Sequence, residues 1–156
     1  MNNEAFMQPH EPDLKNFDEV LAYAERLHRN GYKPAGKWDL SQVLDHLTYF
    51  MKGSLEGYTF KVPWIIKAML GKFVLRRILS QKRMKRGVFT PQKPLPEPGG
   101  DETSALERFR EILQRTVNHQ GNFQPSPFFG QLTREEALEL NLIHCRHHLG
   151  YLIPKS

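Results

Sequence analysis

The chain has 156 residues, of which 39% are hydrophobic and one is a cysteine, and its formal net charge is +5 at pH 7. These values exclude a disordered chain and an internal disulfide, and they suit one domain with its own hydrophobic core. The N-terminus lacks a basic start followed by an apolar run, so we expect no secretory signal. Lys and Arg interrupt the longest apolar stretches, so we expect no transmembrane segment. The expected organisation is one cytoplasmic domain over residues 1–156, with residues 1–12 flexible.

Two helices are predicted in the N-terminal part of the chain. Asp13 is suited to cap a helix through residues 14–31, which Gly31 ends. Asp39 and Gln42 have the pattern of a capping box, so a second helix is expected to start there. The apolar stripe of this second helix, with His46 beside it, comprises Leu40, Val43, Leu44, Leu47 and Phe50 or Met51.

A third helix is predicted from Trp64 to about Lys82. A side rich in Lys and Arg lies opposite its apolar side, which is the pattern of an amphipathic helix. A connector with four prolines in residues 91–98 follows and excludes a helix there. The apolar stripe predicted for this third helix comprises Ile65, Met69, Phe73, Ile78 and Leu79.

Two more helices are predicted in the C-terminal half. Asp101 or Thr103 opens the first of them. Thr133 and Glu136 have the pattern of a second capping box, which opens a final helix through residues 134–153. Because no strand is predicted, the expected fold class is all-α, a bundle of four or five helices.

Three of the seven histidines lie within residues 144–148, on the final predicted helix. His144 and His148 are four residues apart, about 40° around a helix, so both imidazoles can face one point. Two ligands do not make a stable site, because catalytic zinc-like centres take three protein ligands. His46 is the best candidate for the third ligand, since a buried imidazole among apolar neighbours needs a partner.

Other interpretations of these histidines stay open at this point. A single histidine in the middle of a helix is more often a satisfied core or boundary residue than a metal ligand, and a pair four residues apart can lie on a solvated face. The sequence lacks the H-E-x-x-H pattern of helical metalloproteases, so a protease of that type is disfavoured.

Three segments resemble signatures of the DinB/YfiT-like superfamily. GKWDLSQVLDHL, residues 36–47, resembles its second-helix signature, in which a tryptophan, a glutamine and a His-Leu pair recur in that order. HCRHHLGYL, residues 144–152, resembles its last-helix signature of H-x-x-H-H followed by an apolar residue. SPFFGQLTREEA, residues 126–137, resembles one uncharacterised branch with a Pro-Phe-Gly loop before the final helix, although Ser126 stands where that branch is expected to have a histidine.

The resemblance covers roughly residues 14–152 and implies an up-down-down-up four-helix bundle with one extra short helix or long loops. It implies a divalent metal, nickel or zinc, held by His46, His144 and His148. Characterised relatives of this kind are metal-dependent transferases or isomerases that use a low-molecular-weight thiol such as glutathione, mycothiol or bacillithiol. The resemblance therefore implies a thiol-dependent S-transferase or a metal-assisted hydrolase that acts on a small molecule, without a specific nucleic-acid partner, and it allows a homodimer.

Several side chains are candidates to orient the ligand imidazoles or to move a proton beside them, since such partners fix the orientation of metal-bound histidines. They are His147, Gln42, Asp45 and Glu136. Cys145 is rotated away from the ligand face of its helix, so it is expected to pack as an apolar residue and not to act as an attacking thiol.

The basic residues are unevenly distributed along the chain. Nine Lys or Arg and no Asp or Glu occur between Lys61 and Gly87, whereas the remainder has 13 basic and 17 acidic residues. The alternative function is therefore a non-catalytic binding module that uses the basic helix 64–86 for an anionic partner, a membrane surface or nucleic acid. A run of charge is more often a solvated face, and it is also compatible with an enzyme that attracts an acidic thiol.

Overall fold

The computed structural model describes residues 8–86 and 96–156. In these ranges the chain forms five α-helices and a two-stranded antiparallel sheet, which confirms the predicted all-α class. The helices are α1 (Phe17–Asn30), α2 (Leu40–Glu56), α3 (Trp64–Gln81), α4 (Glu102–Asn118) and α5 (Arg134–Leu149), and the strands are β1 (Tyr32–Pro34) and β2 (Leu152–Pro154). Within the described ranges no helix is both long enough and apolar enough to cross a membrane.

Helix α1 begins later than predicted. Asn16, not Asp13, is its N-cap, because the extended Asn16 accepts a hydrogen bond from the Glu19 N–H at 2.9 Å. The Leu14 N–H donates to the carbonyl two residues earlier, so the predicted first turn is a separate turn before the helix. Gly31 ends the helix as predicted, with a φ of 77° that favours glycine.

Two predicted segments lie partly outside the described residues. The first seven of residues 1–12 are outside, as are the first five of the connector 91–98. The His10 N–H donates to the Gly150 carbonyl at 3.1 Å, which joins the chain before α1 to the end of α5.

Both predicted capping boxes are present. The Asp39 side chain accepts from the Gln42 N–H while the Gln42 side chain accepts from the Asp39 N–H, and Thr133 and Glu136 form the same reciprocal pair. An N-cap of this kind stabilises a helix by about 1 kcal/mol. The two boxes therefore set the starts of α2 and α5, the helices that carry the clustered histidines.

Helix α5 ends at Leu149, before the predicted end at residue 153. The chain then forms β2, which pairs with β1 so that Tyr32 lies opposite Pro154 and Pro34 opposite Leu152. The prediction of no strand is wrong here, because three residues are too few to show the alternating pattern by which strands are recognised.

Helices α1, α2, α4 and α5 enclose the main core, with α1 and α2 each packing against both α4 and α5. The predicted stripe of α2 is buried, and Met51 completes it while Phe50 is only half-buried. Side chains that are fully buried in this core include Leu27 of α1, Leu44 and Leu47 of α2, Phe109 of α4 and Leu149 of α5.

Helix α3 is the additional helix and packs against α5. Gly71 and Leu75 face the protein, and a Cβ atom on Gly71 would lie 2.8 Å from the Phe128 carbonyl oxygen. Because this close approach determines which side of α3 faces inward, the predicted apolar stripe is wrong in its N-terminal half. Ile78 and Leu79 are half-buried as predicted, but Ile65, Met69 and Phe73 are 51%, 75% and 67% exposed.

Candidate metal centre

Three imidazoles from two helices converge on one point. His46 lies on α2, whereas His144 and His148 lie one turn apart on α5. The Nε2 atom of His46 lies 3.2 Å from Nε2 of His144 and 3.1 Å from Nε2 of His148. The candidate ligand atoms of the three residues all lie within 4.8 Å of one another. The structure therefore brings together the three histidines singled out in the sequence, as a group that could hold a metal ion.

The spacing of these nitrogens fits a metal ion. At metal–nitrogen distances of about 2.0–2.1 Å, ligands at tetrahedral or octahedral angles lie roughly 2.9–3.4 Å apart. The two separations from the His46 nitrogen, 3.1 and 3.2 Å, fall in that range. If hydrogen bonds alone held the three rings together, one N–H would have to be shared between two acceptor nitrogens. A cation, in contrast, can accept the lone pairs of all three nitrogens.

Burial keeps the three imidazoles uncharged near neutral pH. Loss of solvation, with a smaller contribution from the neighbouring His147, lowers the pKa of His46 to about 4. Burial also holds the pKa values of His144 and His148 well below the usual range, with the adjacent histidines as a second cause. Neutral imidazole is the form that binds metals, so protons do not compete for these nitrogens at pH 7.

We expect the metal-free protein to lose stability as the pH falls from about 6.5 toward 5. The folded-state pKa of His46, about 4, lies below the 6.5 of an exposed histidine, so the unfolded chain binds more protons in this window. Above about pH 6.5, the pKa of a histidine in the unfolded chain, the contribution to stability is complete. Below that pH, the free energy of unfolding decreases by roughly 1.4 kcal/mol per pH unit for each histidine that the fold keeps neutral.

Urea denaturation of the chelated protein at several pH values in this window measures that slope. The window lies above the ordinary pKa values of carboxylates, about 4, so histidines dominate the slope there. A His46→Gln variant should show a shallower slope than the wild type, and identical slopes would contradict the assignment to this cluster.

Two aromatic side chains pack against the histidines. The Trp38 ring is stacked on His148 at 5.7 Å and lies 4.9 Å from the His46 ring, measured between ring centroids. The Phe50 ring lies 4.9 Å from His46 and 5.0 Å from His144. These contacts restrict rotation of the imidazoles and so hold their nitrogens in the convergent arrangement.

Sequence reasoning did not identify either aromatic residue as part of the site. Trp38 carried a signal, because it stands in the segment that resembles the second-helix signature. Phe50 carried none, because helical periodicity assigned it to the apolar stripe of α2 as an alternative to Met51.

His147 and Cys145 differ in their relation to the cluster. The His147 ring lies 4.9 Å from the His148 ring, and burial together with the charge of Arg86 lowers its pKa. Cys145 is fully buried in the main core, and burial raises the pKa of its thiol. The expectation that Cys145 packs as an apolar residue is confirmed.

Asp45 and Gln42 have partners away from the histidines. The Asp45 carboxylate accepts from the Arg108 guanidinium at 2.8 Å. The Gln42 side chain accepts from the Asp39 N–H in the capping box and donates to the Pro96 carbonyl at 2.8 Å. These contacts hold α2 in position, and through α2 they position His46.

A cavity of about 540 Å³ lies between the α2–α3 connector and the loop before α5. Phe50 links it to the histidines, because the Phe50 ring contacts His144 and also two aromatic rings that line the cavity. The side chains that line the cavity include Tyr58, Phe60, Lys61, Lys67 and Gln124.

Ser126, which also lines this cavity, has a structural role in the loop. Its hydroxyl oxygen accepts from the N–H groups of Phe128 and Phe129 at 3.2 Å each, and its backbone pairs with that of Gly130. This pattern of side-chain and backbone hydrogen bonds closes the turn before α5.

The sequence model of one protein family matches residues 7–155, and the description of that family reads "Protein of unknown function (DUF1569)". The match includes both helices that carry the clustered histidines. No curated protein and no solved structure matches the chain.

Proposed function

We propose that this chain, which belongs to the DUF1569 family, is a metal-dependent enzyme with one divalent ion held by His46, His144 and His148. The observation that carries the proposal is the convergence of three neutral ring nitrogens, with separations of 3.1 and 3.2 Å from the His46 nitrogen. Structural ion pairs and caps do not account for three imidazoles that face one another, whereas binding of a metal ion does.

We place the chain, as part of this proposal, in the DinB/YfiT-like superfamily as a single domain with the up-down-down-up order of helices. Two of the segments that resemble this superfamily, residues 36–47 and 144–152, lie largely on α2 and α5. Three of the four histidines within these two segments, His46, His144 and His148, are the ones that meet in space.

Nickel and zinc are the proposed ions, because imidazole suits both. A divalent ion held by neutral imidazoles lowers the pKa of a bound water or thiol, which supplies a nucleophile near neutral pH. All three histidines are half-buried and not sealed in the core, which supports an accessible position at the point that they face. An accessible position is what separates catalytic sites from closed structural ones.

The residues of this chain have separate proposed roles. Trp38 and Phe50 hold the ligand rings, and they provide an apolar wall that limits access of water. His147, which is neutral and beside His148, would accept a proton from a molecule bound at the centre.

The proposed substrate is a small anionic molecule, a low-molecular-weight thiol such as glutathione for S-transfer, or an ester or amide for hydrolysis. The support is the cavity beside Phe50, which is lined by two cationic side chains, Lys61 and Lys67. Cationic groups in a cleft attract carboxylates and position them relative to the reacting atom.

The test is titration of untagged, chelator-stripped protein with nickel and zinc in separate experiments. We expect one ion to bind per chain and the melting temperature to rise, since an ion present at about 100 times its Kd stabilises the fold by roughly 2.7 kcal/mol. If neither ion binds, the proposal is wrong.

A second measurement distinguishes a catalytic centre from a structural one. Glutathione is added to the nickel-loaded protein while the absorption spectrum is recorded. An accessible position predicts a new absorption band at saturating glutathione. An unchanged spectrum, together with a raised melting temperature, would assign the ion a purely structural role.

A further inference from the structure

Helix α3 exposes a row of large apolar side chains on the side that faces away from the protein. We refer to this row as the outer face of α3. Its members are Ile65, Ile66, Met69 and Phe73, which are 51%, 52%, 75% and 67% exposed. Folded proteins seldom leave such a contiguous apolar row in water unless a partner covers it.

The arrangement follows from how α3 is seated. Gly71 and Leu75 face the protein, and at 100° per residue the outer face covers an arc of roughly 100° on the opposite side of the helix. Turning the outer face inward would require a Cβ-bearing residue where Gly71 approaches the Phe128 carbonyl. The outer face is therefore fixed outward by the packing of the helix.

Positive charge surrounds this apolar row. The segment from Lys61 to Arg86 carries nine Lys or Arg and no acidic residue. Lys72, Arg76 and Arg77 are exposed within α3 itself. Trp64, at the first turn of α3, is 73% exposed, and tryptophan is typical of the boundary between lipid and water.

The combination of charge and apolar surface selects one class of partner. A second copy of this chain would bring two basic faces together, which repel each other. Nucleic acid would engage the cationic groups through phosphates but would leave the four apolar side chains in water. An anionic lipid surface accommodates both, because apolar groups enter the acyl boundary while Lys and Arg meet the headgroups.

We infer that α3 is an interfacial anchor that places this protein on anionic lipid surfaces, with the outer face of α3 in the acyl boundary and the surrounding Lys and Arg at the headgroups. This docking does not depend on the metal centre, because none of the outer-face residues contributes a ligand. The anchor and the metal centre can therefore be tested separately.

The test is co-sedimentation with phosphatidylcholine vesicles and with vesicles of roughly 70% phosphatidylcholine and 30% phosphatidylserine. We expect binding to the anionic vesicles, weakened by salt, and little binding to the neutral ones. Phe73→Glu should weaken binding at least about tenfold, since it removes a large apolar group and adds a repelled charge. Val117→Glu is the matched control, because Val117 is an exposed apolar residue of α4 (43%) and its replacement should leave binding unchanged.

A charge-reversal pair tests the basic component independently. Lys72→Glu with Arg76→Glu should also weaken binding at least about tenfold at low salt, whereas Arg29→Glu with Lys33→Glu, at exposed positions outside α3, should weaken it much less. Circular dichroism verifies that each variant is folded, and if the Phe73 variant fails to fold, the charge-reversal pair decides alone.

Tryptophan emission reports which face enters the lipid. A variant with Trp38→Phe, Trp64→Phe and Phe73→Trp has one tryptophan, at position 73 on the outer face. Its emission should move to shorter wavelength when anionic vesicles are added. Equal binding to both vesicle types, unchanged binding of the α3 variants, an unshifted spectrum, tighter binding to duplex DNA than to vesicles, or a dimer that Phe73→Glu dissociates would each overturn the inference.

Discussion

Replacing His46 with alanine is expected to lower the affinity of the protein for nickel or zinc by at least about a hundredfold. The two remaining histidines lie on one helix and leave the ion without the ligand from α2. Losing a side chain that merely orients a ligand already costs roughly 10–100-fold in metal affinity, and losing the ligand itself costs more. Competition with a chromophoric chelator on untagged protein measures the change.

His28→Ala is the matched control for this prediction. His28 lies on α1, where its ring nitrogen is hydrogen-bonded to the Thr103 hydroxyl at 3.1 Å, outside the cluster. Its replacement should leave the metal affinity unchanged. Equal affinities of the wild type and the His46 variant, or equal losses in both variants, would contradict a site built from both helices.

A second variant separates loss of a ligand from loss of the fold. His46→Ala also removes ring contacts with Trp38 and Phe50, so it is expected to lower stability somewhat. His46→Gln fills more of that space and still lacks a ring nitrogen. We therefore expect the glutamine variant to melt closer to the wild type, yet to bind metal as weakly as the alanine variant.

Replacing Phe109 with alanine is expected to lower the free energy of unfolding by about 3–5 kcal/mol. Phe109 lies on α4 and is fully buried in the main core, so its removal leaves a cavity among side chains from several helices. That loss is a large part of the roughly 5–15 kcal/mol by which domains of this size are stable. Urea denaturation, followed by circular dichroism, measures the difference.

Val117→Ala provides the comparison on the same helix. Val117 is 43% exposed, so its truncation should change stability by no more than about 0.5 kcal/mol. Excess zinc or nickel should recover part of the stability lost in the Phe109 variant, because the ion binds only the folded chain. A Phe109 variant as stable as the Val117 variant would show that α4 does not close the core as described.

The starts of α2 and α5 could be predicted from the sequence because a capping box is a local pattern. Its two side chains and two N–H groups lie within four residues, so distant contacts are not needed to recognise it. The predicted start of α1 was wrong because Asp13 and Asn16 are both good caps. Only the structure selects between them. Strands β1 and β2 form only by pairing with each other, although they lie near opposite ends of the chain, so neither has a local sequence pattern that predicts it.

The inward side of α3 could not be predicted, because the helix has apolar residues on two sides. Hydrophobic periodicity assigns a buried side only where the other side is polar. The contact of Gly71 with the Phe128 carbonyl, which selects the side, joins residues far apart in sequence.

The candidate ligands could be predicted in part. The spacing of His144 and His148 gave a pair on one helical face, whereas the choice of His46 as their partner drew on its apolar neighbours and on the resemblance. The contacts of Trp38 and Phe50 with the histidines depend on how α2 lies against α5, which no pattern within either segment contains.

The short sheet has a consequence for the end of α5. The last turn of an α-helix ordinarily frays, and here that turn carries His148. Strand β2 begins three residues after Leu149 and is hydrogen-bonded to β1, which lies in the α1–α2 connector. The Lys155 N–H adds one more hydrogen bond, to the Gly31 carbonyl at 3.0 Å. The amide hydrogens of this last turn should therefore exchange with solvent more slowly than those at the end of an ordinary helix. A chain that ends before residue 152 should lose this restraint, so that His148 moves away from His46 and His144.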